Sequence, residues 1–190
     1  MITVPEAVTV VLASRSPRRR DLLASIGLEF EVRPADVDET PRPVEDPADY
    51  VRRLSLDKSG AVRADVVIAA DTTVDVDGRI LGKPDDDDDV RRMLRTLSGR
   101  THRVRTGVTV VGPSASVTEV VTTQVTFVEL RAEAIDWYVR CGEGRDKAGA
   151  YGIQGAAAAF VAAVDGSVSN VVGLPLAETV AMLRTVLGAD

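Results

Sequence analysis

The segment from Ser14 to Arg20 constrains the fold more than any other part of this 190-residue chain. Its sequence is SRSPRRR, and it directly follows an apolar, β-branched run at residues 8–13. A short run of this kind typically forms a buried strand. Ser16 is a good helix N-cap, and Pro17 suits the first helical position. The segment therefore predicts a strand, a tight turn and a helix N-terminus.

Arginines in the first turn of this helix need an explanation, because cations oppose the helix dipole there. Backbone N–H groups, serine hydroxyls and guanidinium groups together would bind an anion such as phosphate. The apolar face of the helix is formed by Leu22, Leu23 and Ile26. At roughly 100° per residue, the centre of that face lies close to the direction of Arg19. We therefore expect Arg19 to face inward and Arg20 to lie on the surface; the alternative is a solvated basic run.

The overall composition argues against several functional classes. The net charge of −6 disfavours non-specific binding to nucleic acid, which needs a basic surface. The single cysteine, Cys141, excludes an internal disulfide, and the single histidine, His102, excludes a His-rich zinc site. No signal peptide and no apolar run of membrane-spanning length is recognised. We expect a cytoplasmic protein with neither a membrane nor a nucleic-acid partner.

The order of the predicted elements favours an α/β fold, as one domain over residues 1–190 that consists of two lobes sharing a sheet. The predicted strands are 8–13, 29–33, 66–70, 73–76, 79–81, 101–111, 116–128 and 160–164. The predicted helices are 17–26, 47–64, 85–97, 132–141 and 174–187, and Asp46 is the expected N-cap of the second. Asp77 and Gly78 predict a tight hairpin. The acidic run 85–89 is expected to cap a helix rather than to bind a metal.

Two acids are candidates for chemistry. Asp71 follows the predicted strand 66–70, where a carboxylate could hold a divalent cation or activate a water. Capping of the next turn is an equally good interpretation. Glu39 lies in an acidic loop at 34–43, and two acids near phosphates suggest Mg²⁺. Such a loop is more often a solvated surface.

Three further polar residues lie in predicted loops or helices. Lys58 is on the predicted helix 47–64 and Lys83 follows the hairpin, although isolated lysines are usually surface charges. The glycines of segment 142–155 allow close approach of the backbone to a ligand. Gln154 can form paired hydrogen bonds with a base edge. The alternative is an ordinary glycine-rich connection.

Together these segments resemble the Maf family of nucleoside triphosphate pyrophosphatases, from residue 12 to about residue 183. The motifs that carry the resemblance are LASRSPRR at 12–19, ADT at 70–72, GKP at 82–84, LSGRTH at 97–102, DKAGAYGIQG at 146–155 and NVVGLP at 170–175. The chain departs from the family pattern at Arg15, where a small residue is common. It departs again at Gly144 and Arg145, which replace a more usual proline-containing turn.

The resemblance implies a two-lobed α/β fold in which helices flank a mixed, twisted sheet around a deep central cleft. This fold is similar to that of the inosine triphosphate pyrophosphatases. The implied reaction hydrolyses a nucleoside triphosphate to a monophosphate and pyrophosphate with Mg²⁺ or Mn²⁺, as a house-cleaning activity. A homodimer is compatible with the family, whose members often pair. The alternative is a nucleotide-binding regulator of cell division that does not depend on turnover.

The resemblance also implies roles for individual residues. Asp71 is the expected proton acceptor for the attacking water, and Asp71 and Glu39 are the expected metal ligands. One branch of the family prefers dTTP and UTP, and another prefers 7-methyl-GTP. Three positions match the dTTP/UTP branch, namely Arg18, Thr72 and Gln154. The expected substrate-binding residues are Ser14, Ser16, Arg18, Arg19, Glu39, Lys58, Thr72, Lys83 and Gln154.

Overall fold

The computed structural model describes residues 4–5 and 7–188. The strands are β1 (Val10–Leu12), β2 (Glu31–Val32), β3 (Val66–Val76), β4 (Arg79–Leu81), β5 (Thr101–Val111), β6 (Ser116–Phe127) and β7 (Val161–Asp165). The α-helices are α1 (Pro17–Ser25), α2 (Pro47–Gly60), α3 (Asp87–Leu97), α4 (Ala132–Cys141), α5 (Val168–Val172) and α6 (Leu176–Leu187). Short 3₁₀ helices occupy Ala148–Ala150 and Ala156–Phe160.

The strands form one mixed sheet of seven strands in the order β2-β1-β3-β5-β6-β7, with β4 paired to β3. β1 runs parallel to both β2 and β3. β4 is antiparallel to β3, and β7 is antiparallel to β6. Helices flank this sheet, so the predicted α/β class is confirmed. Among the described residues, no helix is both long and apolar enough to cross a bilayer.

The chain forms two compact units, and the first comprises Met1–Asp71, Thr106–Val121 and Gly173–Asp190. Alternate residues of β1 and β3 face its main core, because successive side chains of a strand point to opposite faces. The largest fully buried side chains of this core are Leu12, Leu23, Ile68, Leu174, Met182 and Leu183. The opposite face of β3 carries Asp71, which is therefore directed away from this core.

The second unit comprises Thr72–Arg105 and Thr122–Val172. Its core lies between the sheet and the helices α3 and α4, and it includes Val74, Leu94, Leu97, Tyr138 and Phe160. Phe127 is at the centre of an aromatic cluster and meets the rings of His102 and Tyr151 edge-on, at centroid distances of 4.9 and 4.8 Å. Such edge-to-face geometry is the favoured arrangement of aromatic rings.

The predicted local signals at the helix starts are confirmed. Ser16 caps α1, and its side chain accepts a hydrogen bond from the Arg19 N–H. Asp46 caps α2, and Asp86, within the acidic run, caps α3. In the predicted hairpin between β3 and β4, Asp77 and Gly78 have φ values of +53° and +75°. These positive angles are the ones a two-residue turn requires.

Several predicted boundaries differ from the structure by one or two residues, among them those of β1, β2 and α3. Three more differences have a physical reason in the residues involved. The predicted strands 66–70 and 73–76 are a single strand, β3, so Asp71 lies inside a strand and not after one. α2 ends at Gly60 rather than at residue 64, since glycine is a poor helix former. The predicted helix 174–187 begins only at Leu176, because Pro175 has extended backbone angles. The short helix α5 before it was not predicted.

Candidate active site

The two serines of the arginine-rich turn stabilise it through hydrogen bonds to backbone N–H groups. Ser16 Oγ accepts a hydrogen bond from the Arg19 N–H at 3.4 Å. Ser14 Oγ accepts one from the Ser16 N–H at 3.2 Å. Each hydroxyl thus binds a backbone donor close to the start of α1, where helical N–H groups have no partner within the helix. The predicted strand, turn and helix are all present.

Arg19 is buried, as the helical pattern predicts, with only 8% of its surface exposed. Its Nε donates to the Gly173 carbonyl oxygen at 2.7 Å, and its Nη1 donates to Ser14 Oγ at 3.1 Å. Burial lowers the pKa of Arg19 from its ordinary value, and the negative charge of Asp71 opposes that shift. Arg20 is exposed, as predicted, and it pairs with the neighbouring Asp21 at 3.0 Å.

Lys58 lies between the two acids that the sequence singles out. Its Nζ is 2.7 Å from Asp71 Oδ1 and 2.7 Å from Glu39 Oε1. Lys58, from the last turn of α2, and Asp71, from β3, are both buried, whereas the Glu39 side chain is 48% exposed. Glu39 therefore reaches this point from the surface.

The same acids can be tested as ligands for a divalent cation. Both carboxylates approach a single position, that of the Lys58 ammonium group. Within the described part of the chain, no group of three or more His, Cys, Asp or Glu side chains is placed to hold a metal ion. Mg²⁺ commonly binds one or two carboxylates and takes its other ligands from substrate phosphates and water. Glu39 and Asp71 fit that pattern.

Arg18 belongs to the same electrostatic neighbourhood. It is partly exposed at the first turn of α1. Its charge lowers the pKa of Arg19, after burial has done so more strongly, while Glu39 and Asp71 raise it. Arg18, Asp71 and Glu39 thus all act electrostatically on Arg19, and Lys58 pairs with the same two carboxylates. Such a cluster can bind phosphate groups and a cation together.

Thr72, Lys83 and Gln154 belong to the second unit. Thr72 is half-buried on β3, whereas Lys83 and Gln154 are exposed. The residue before Lys83, Gly82, accepts a hydrogen bond from the Gly149 N–H at 3.1 Å. This bond joins the segment after β4 to the glycine-rich segment that carries Gln154.

Glu143 organises that glycine-rich segment, and the sequence analysis did not identify it. Its Oε2 accepts a hydrogen bond from the Ala156 N–H at 2.8 Å. A Cβ atom at Gly155 would lie 2.0 Å from Glu143 Oε1, and one at Gly152 would lie 2.7 Å from it. The glycines are therefore needed to admit this carboxylate. Two features of the sequence could have identified Glu143: its position two residues after the end of α4, and the glycines at 152 and 155.

Two other contacts were missed as well. Gly173 accepts a hydrogen bond from Arg19 Nε through its backbone carbonyl oxygen. Every residue has such a carbonyl, so the sequence does not indicate this contact. Tyr50 donates from its hydroxyl to the backbone carbonyl of Glu39 at 2.9 Å. Residues three apart on a helix are neighbours on its surface, so the spacing between Tyr50 and Arg53 on α2 could have identified this contact.

Comparisons with known proteins place this geometry in a family. The model of the Maf-like protein family matches residues 9–186. A dTTP/UTP pyrophosphatase of Anaeromyxobacter dehalogenans (strain 2CP-1) is 57% identical over 179 residues, which cover 92% of each chain. A dTTP/UTP pyrophosphatase of Hahella chejuensis is 50% identical over 92% of this chain and 90% of its own length.

A more distant match comes from a solved structure, that of the Staphylococcus aureus Ham1 protein. It is 20% identical to this chain, with a TM-score of 0.43 over 63% of this chain and 70% of its own. The family match does not depend on it, because the family model covers every segment that carries the resemblance. The chain belongs to the Maf-like protein family.

Proposed function

We propose that this protein hydrolyses nucleoside triphosphates to a nucleoside monophosphate and pyrophosphate. The observation that carries the proposal is Lys58, held at 2.7 Å by both Asp71 and Glu39 in the same unit as the buried Arg19. The names of the relatives, dTTP/UTP pyrophosphatases at 57% and 50% identity, support dTTP, UTP or modified pyrimidine nucleotides as substrates. We place this house-cleaning reaction in the cytoplasm.

In the proposed reaction, a water oxygen attacks the α-phosphorus and the bond from that phosphorus to the bridging oxygen breaks. Pyrophosphate leaves, and the proton of the water passes to Asp71. Lys58 contacts Asp71 Oδ1, and we assign the water to Oδ2. The ammonium group fixes the carboxylate, so that this second oxygen can be aimed at the water. No covalent intermediate with the protein is needed.

Charge neutralisation is the other requirement of this chemistry, because negative charge develops on the phosphate oxygens. We assign Arg18, Arg19 and the two serines of the turn to the phosphates, together with Lys83. Guanidinium groups suit this role since they form paired hydrogen bonds with phosphate oxygens. A divalent cation, Mg²⁺ or Mn²⁺, held by Asp71 and Glu39 would supply further positive charge.

We propose that the base is selected by Arg18, Thr72 and Gln154. The exposed amide of Gln154 offers both a donor and an acceptor, which a base edge can match in a paired hydrogen bond. The family resemblance of these positions supports the assignment to pyrimidine nucleotides.

The deciding experiment measures pyrophosphate release from a panel of ribonucleoside and deoxyribonucleoside triphosphates with Mg²⁺ or Mn²⁺. Asp71→Asn should reduce turnover by a factor of roughly 10² or more, the usual contribution of a general base. Nucleotide binding should largely persist. Asp36→Asn is the control, because Asp36 is 94% exposed. Absence of release from every nucleotide would refute the enzymatic proposal.

The same variant separates turnover from a regulatory role in cell division. A regulator that only binds nucleotide would keep its effect on division when Asp71 is replaced by Asn. Loss of the effect together with turnover would support the enzyme. The buried contact of Asp71 with Lys58 favours the enzyme, since binding alone does not require a buried carboxylate there.

A further inference from the structure

We propose that three residues, Tyr50, Arg53 and Glu45, act as positioning residues that hold Glu39 beside Lys58. We call these three residues the clasp. The inference rests on the proposed function, in which Glu39 serves the cation and the phosphates. It assigns a role to residues that do not themselves belong to the candidate site.

Glu39 lies on a segment that has no regular secondary structure of its own. Residues 33–46 form neither a helix nor a strand. The Glu39 side chain is 48% exposed, so packing against a core does not fix it. Its distance from Lys58 therefore depends on what holds the backbone around it.

Tyr50 holds that backbone at Glu39 itself. Its hydroxyl donates to the Glu39 carbonyl oxygen at 2.9 Å. The phenol O–H is the donor of this bond, because a backbone carbonyl oxygen can only accept. Because Tyr50 and Lys58 both lie on α2, a single helix carries the donor to the Glu39 backbone and the partner of its carboxylate.

Arg53 holds the next residue and the far end of the segment. Its Nη2 donates to the Thr40 carbonyl oxygen at 3.2 Å. Its Nε and Nη2 also bind both carboxylate oxygens of Glu45, at 2.7 and 2.8 Å. The two side chains are only 14% and 8% exposed. A paired, shielded contact of this kind is geometrically specific.

Glu45 forms two hydrogen bonds with Arg42 within the same segment. Its Oε2 accepts a hydrogen bond from the Arg42 N–H at 2.9 Å, and its own N–H donates to the Arg42 carbonyl oxygen at 3.1 Å. Between them, Val44 has a φ of +59°. A β-branched residue rarely adopts this conformation, which costs on the order of 1–3 kcal/mol. The two hydrogen bonds between Arg42 and Glu45 span Val44 and offset part of that cost.

Weakening the clasp should loosen Glu39 while leaving Asp71 and Arg19 in place. The expected effect is therefore on the requirement for the cation and not on the proton transfer. Arg53→Lys keeps the positive charge, but a lysine cannot bind both oxygens of Glu45 and the Thr40 carbonyl in the same geometry. Tyr50→Phe removes only the hydroxyl.

The first test measures the Mg²⁺ concentration that gives half-maximal hydrolysis of dTTP. For Arg53→Lys it should rise about tenfold, the usual effect of losing a group that orients a metal ligand. The value of kcat at saturating Mg²⁺ should stay close to that of the wild type. The matched control is Arg52→Lys, because Arg52 is the adjacent residue on α2 and is exposed. An unchanged Mg²⁺ requirement in Arg53→Lys overturns the proposal.

The second test asks whether the clasp acts through Glu39. If it does, Tyr50→Phe should raise the Mg²⁺ requirement in the wild type and have no further effect in Glu39→Gln. Additive effects of the two substitutions would overturn the proposal. A merely structural role of Tyr50 would give such additivity.

The third measurement does not depend on activity. Amide hydrogen exchange over residues 37–45 should be faster in Tyr50→Phe and Arg53→Lys than in the wild type, and unchanged in Arg52→Lys. Unchanged exchange in both clasp variants overturns the clasp even if the wild type is active. A wild-type protein that hydrolyses no nucleotide refutes the proposed function, and with it the role of the clasp in the reaction.

Discussion

Arg19 has two structural partners that a lysine could not satisfy together. Its Nε and Nη1 bind the Gly173 carbonyl and Ser14 Oγ at 2.7 and 3.1 Å. We predict that Arg19→Lys raises KM for dTTP about tenfold or more, since a hydrogen bond to a charged group contributes about 1.5–3 kcal/mol. Arg20→Lys is the control, because Arg20 is exposed and pairs with Asp21. Equal effects of the two substitutions would contradict the assignment.

His102 makes stability depend on pH in a defined window. Burial lowers the pKa of His102 from 6.5 to about 4. The unfolded chain therefore takes up a proton near pH 6.5 that the folded chain resists until about pH 4. The contribution of His102 to the unfolding free energy is therefore fully present above pH 6.5 and is lost as the pH is lowered toward 4. Because this is the single histidine of the sequence, no other imidazole contributes.

We predict that His102 makes the wild type lose about 2 kcal/mol of unfolding free energy between pH 7 and pH 5. His102→Asn should remove most of that loss, because asparagine does not titrate. Urea unfolding at the two pH values measures it. The imidazole Nε2 is 2.8 Å from the Tyr151 hydroxyl, so the variant should also be less stable at pH 7. The same pH dependence in both proteins would show that His102 is not responsible.

The sequence predicted the burial of a side chain correctly where its position on a single helix determines that burial. The burial of Arg19 followed from its place on the apolar face of α1. The burial of Lys58 did not, because the sequence presents it as an isolated lysine. Its two partners come from a loop and from a strand, and only the tertiary structure brings them together. Glu143 was missed for the same reason.

Among the elements, α2 and β5 approach each other so closely that one position must be glycine. A Cβ atom at Gly107 would lie 2.2 Å from the backbone oxygen of Val51. We predict that Gly107→Ala destabilises the protein by about 3 kcal/mol, because backbone atoms cannot move aside cheaply. Gly60→Ala is the matched control, because a Cβ atom there meets nothing within 4 Å. It should be neutral or stabilise by up to about 1 kcal/mol.

Thermal unfolding followed by circular dichroism measures both variants. A Gly107→Ala protein as stable as Gly60→Ala would mean that α2 can shift on the sheet at little cost. Such a shift would also change the position of Lys58, which lies on the same helix. The two variants therefore also test how firmly the helix holds that lysine.

The prediction of elements succeeded where local chemistry determines an end. The caps at Ser16, Asp46 and Asp86 and the hairpin turn after β3 all depend on residues adjacent in sequence. It failed where distant contacts decide. Asp71 looked like the end of a strand, yet β3 continues to Val76, because its residues 74–76 pair with β4.

At the scale of the whole molecule, the chain passes between the two units at residues 71–72, 105–106, 121–122 and 172–173. Three of these passages lie inside β3, β5 and β6. We predict that unfolding in urea is a single transition, because neither unit is a continuous stretch of sequence. Trp137, the single tryptophan, reports on the second unit, and far-UV circular dichroism reports on all the helices. Two separate midpoints would contradict this prediction.

The α/β class was predictable because strands and helices alternate in the sequence. The boundaries between the two units were not predictable. A strand that contributes to both units has one continuous apolar pattern in the sequence. The continuous β5, from Thr101 to Val111, is an example. Its residues up to Arg105 belong to the second unit and those from Thr106 to the first. Nothing in the composition of the strand marks that change.

The end of α4 offers a practical means of observing the protein in solution. Cys141 is exposed, and it is the single cysteine of the sequence. Gly142 follows it with a φ of +69°, and Glu143 then reaches into the segment that carries Gln154. A fluorophore or nitroxide attached to this thiol would therefore report on that segment during nucleotide addition. The natural sequence already provides the labelling site, so no engineered cysteine is required.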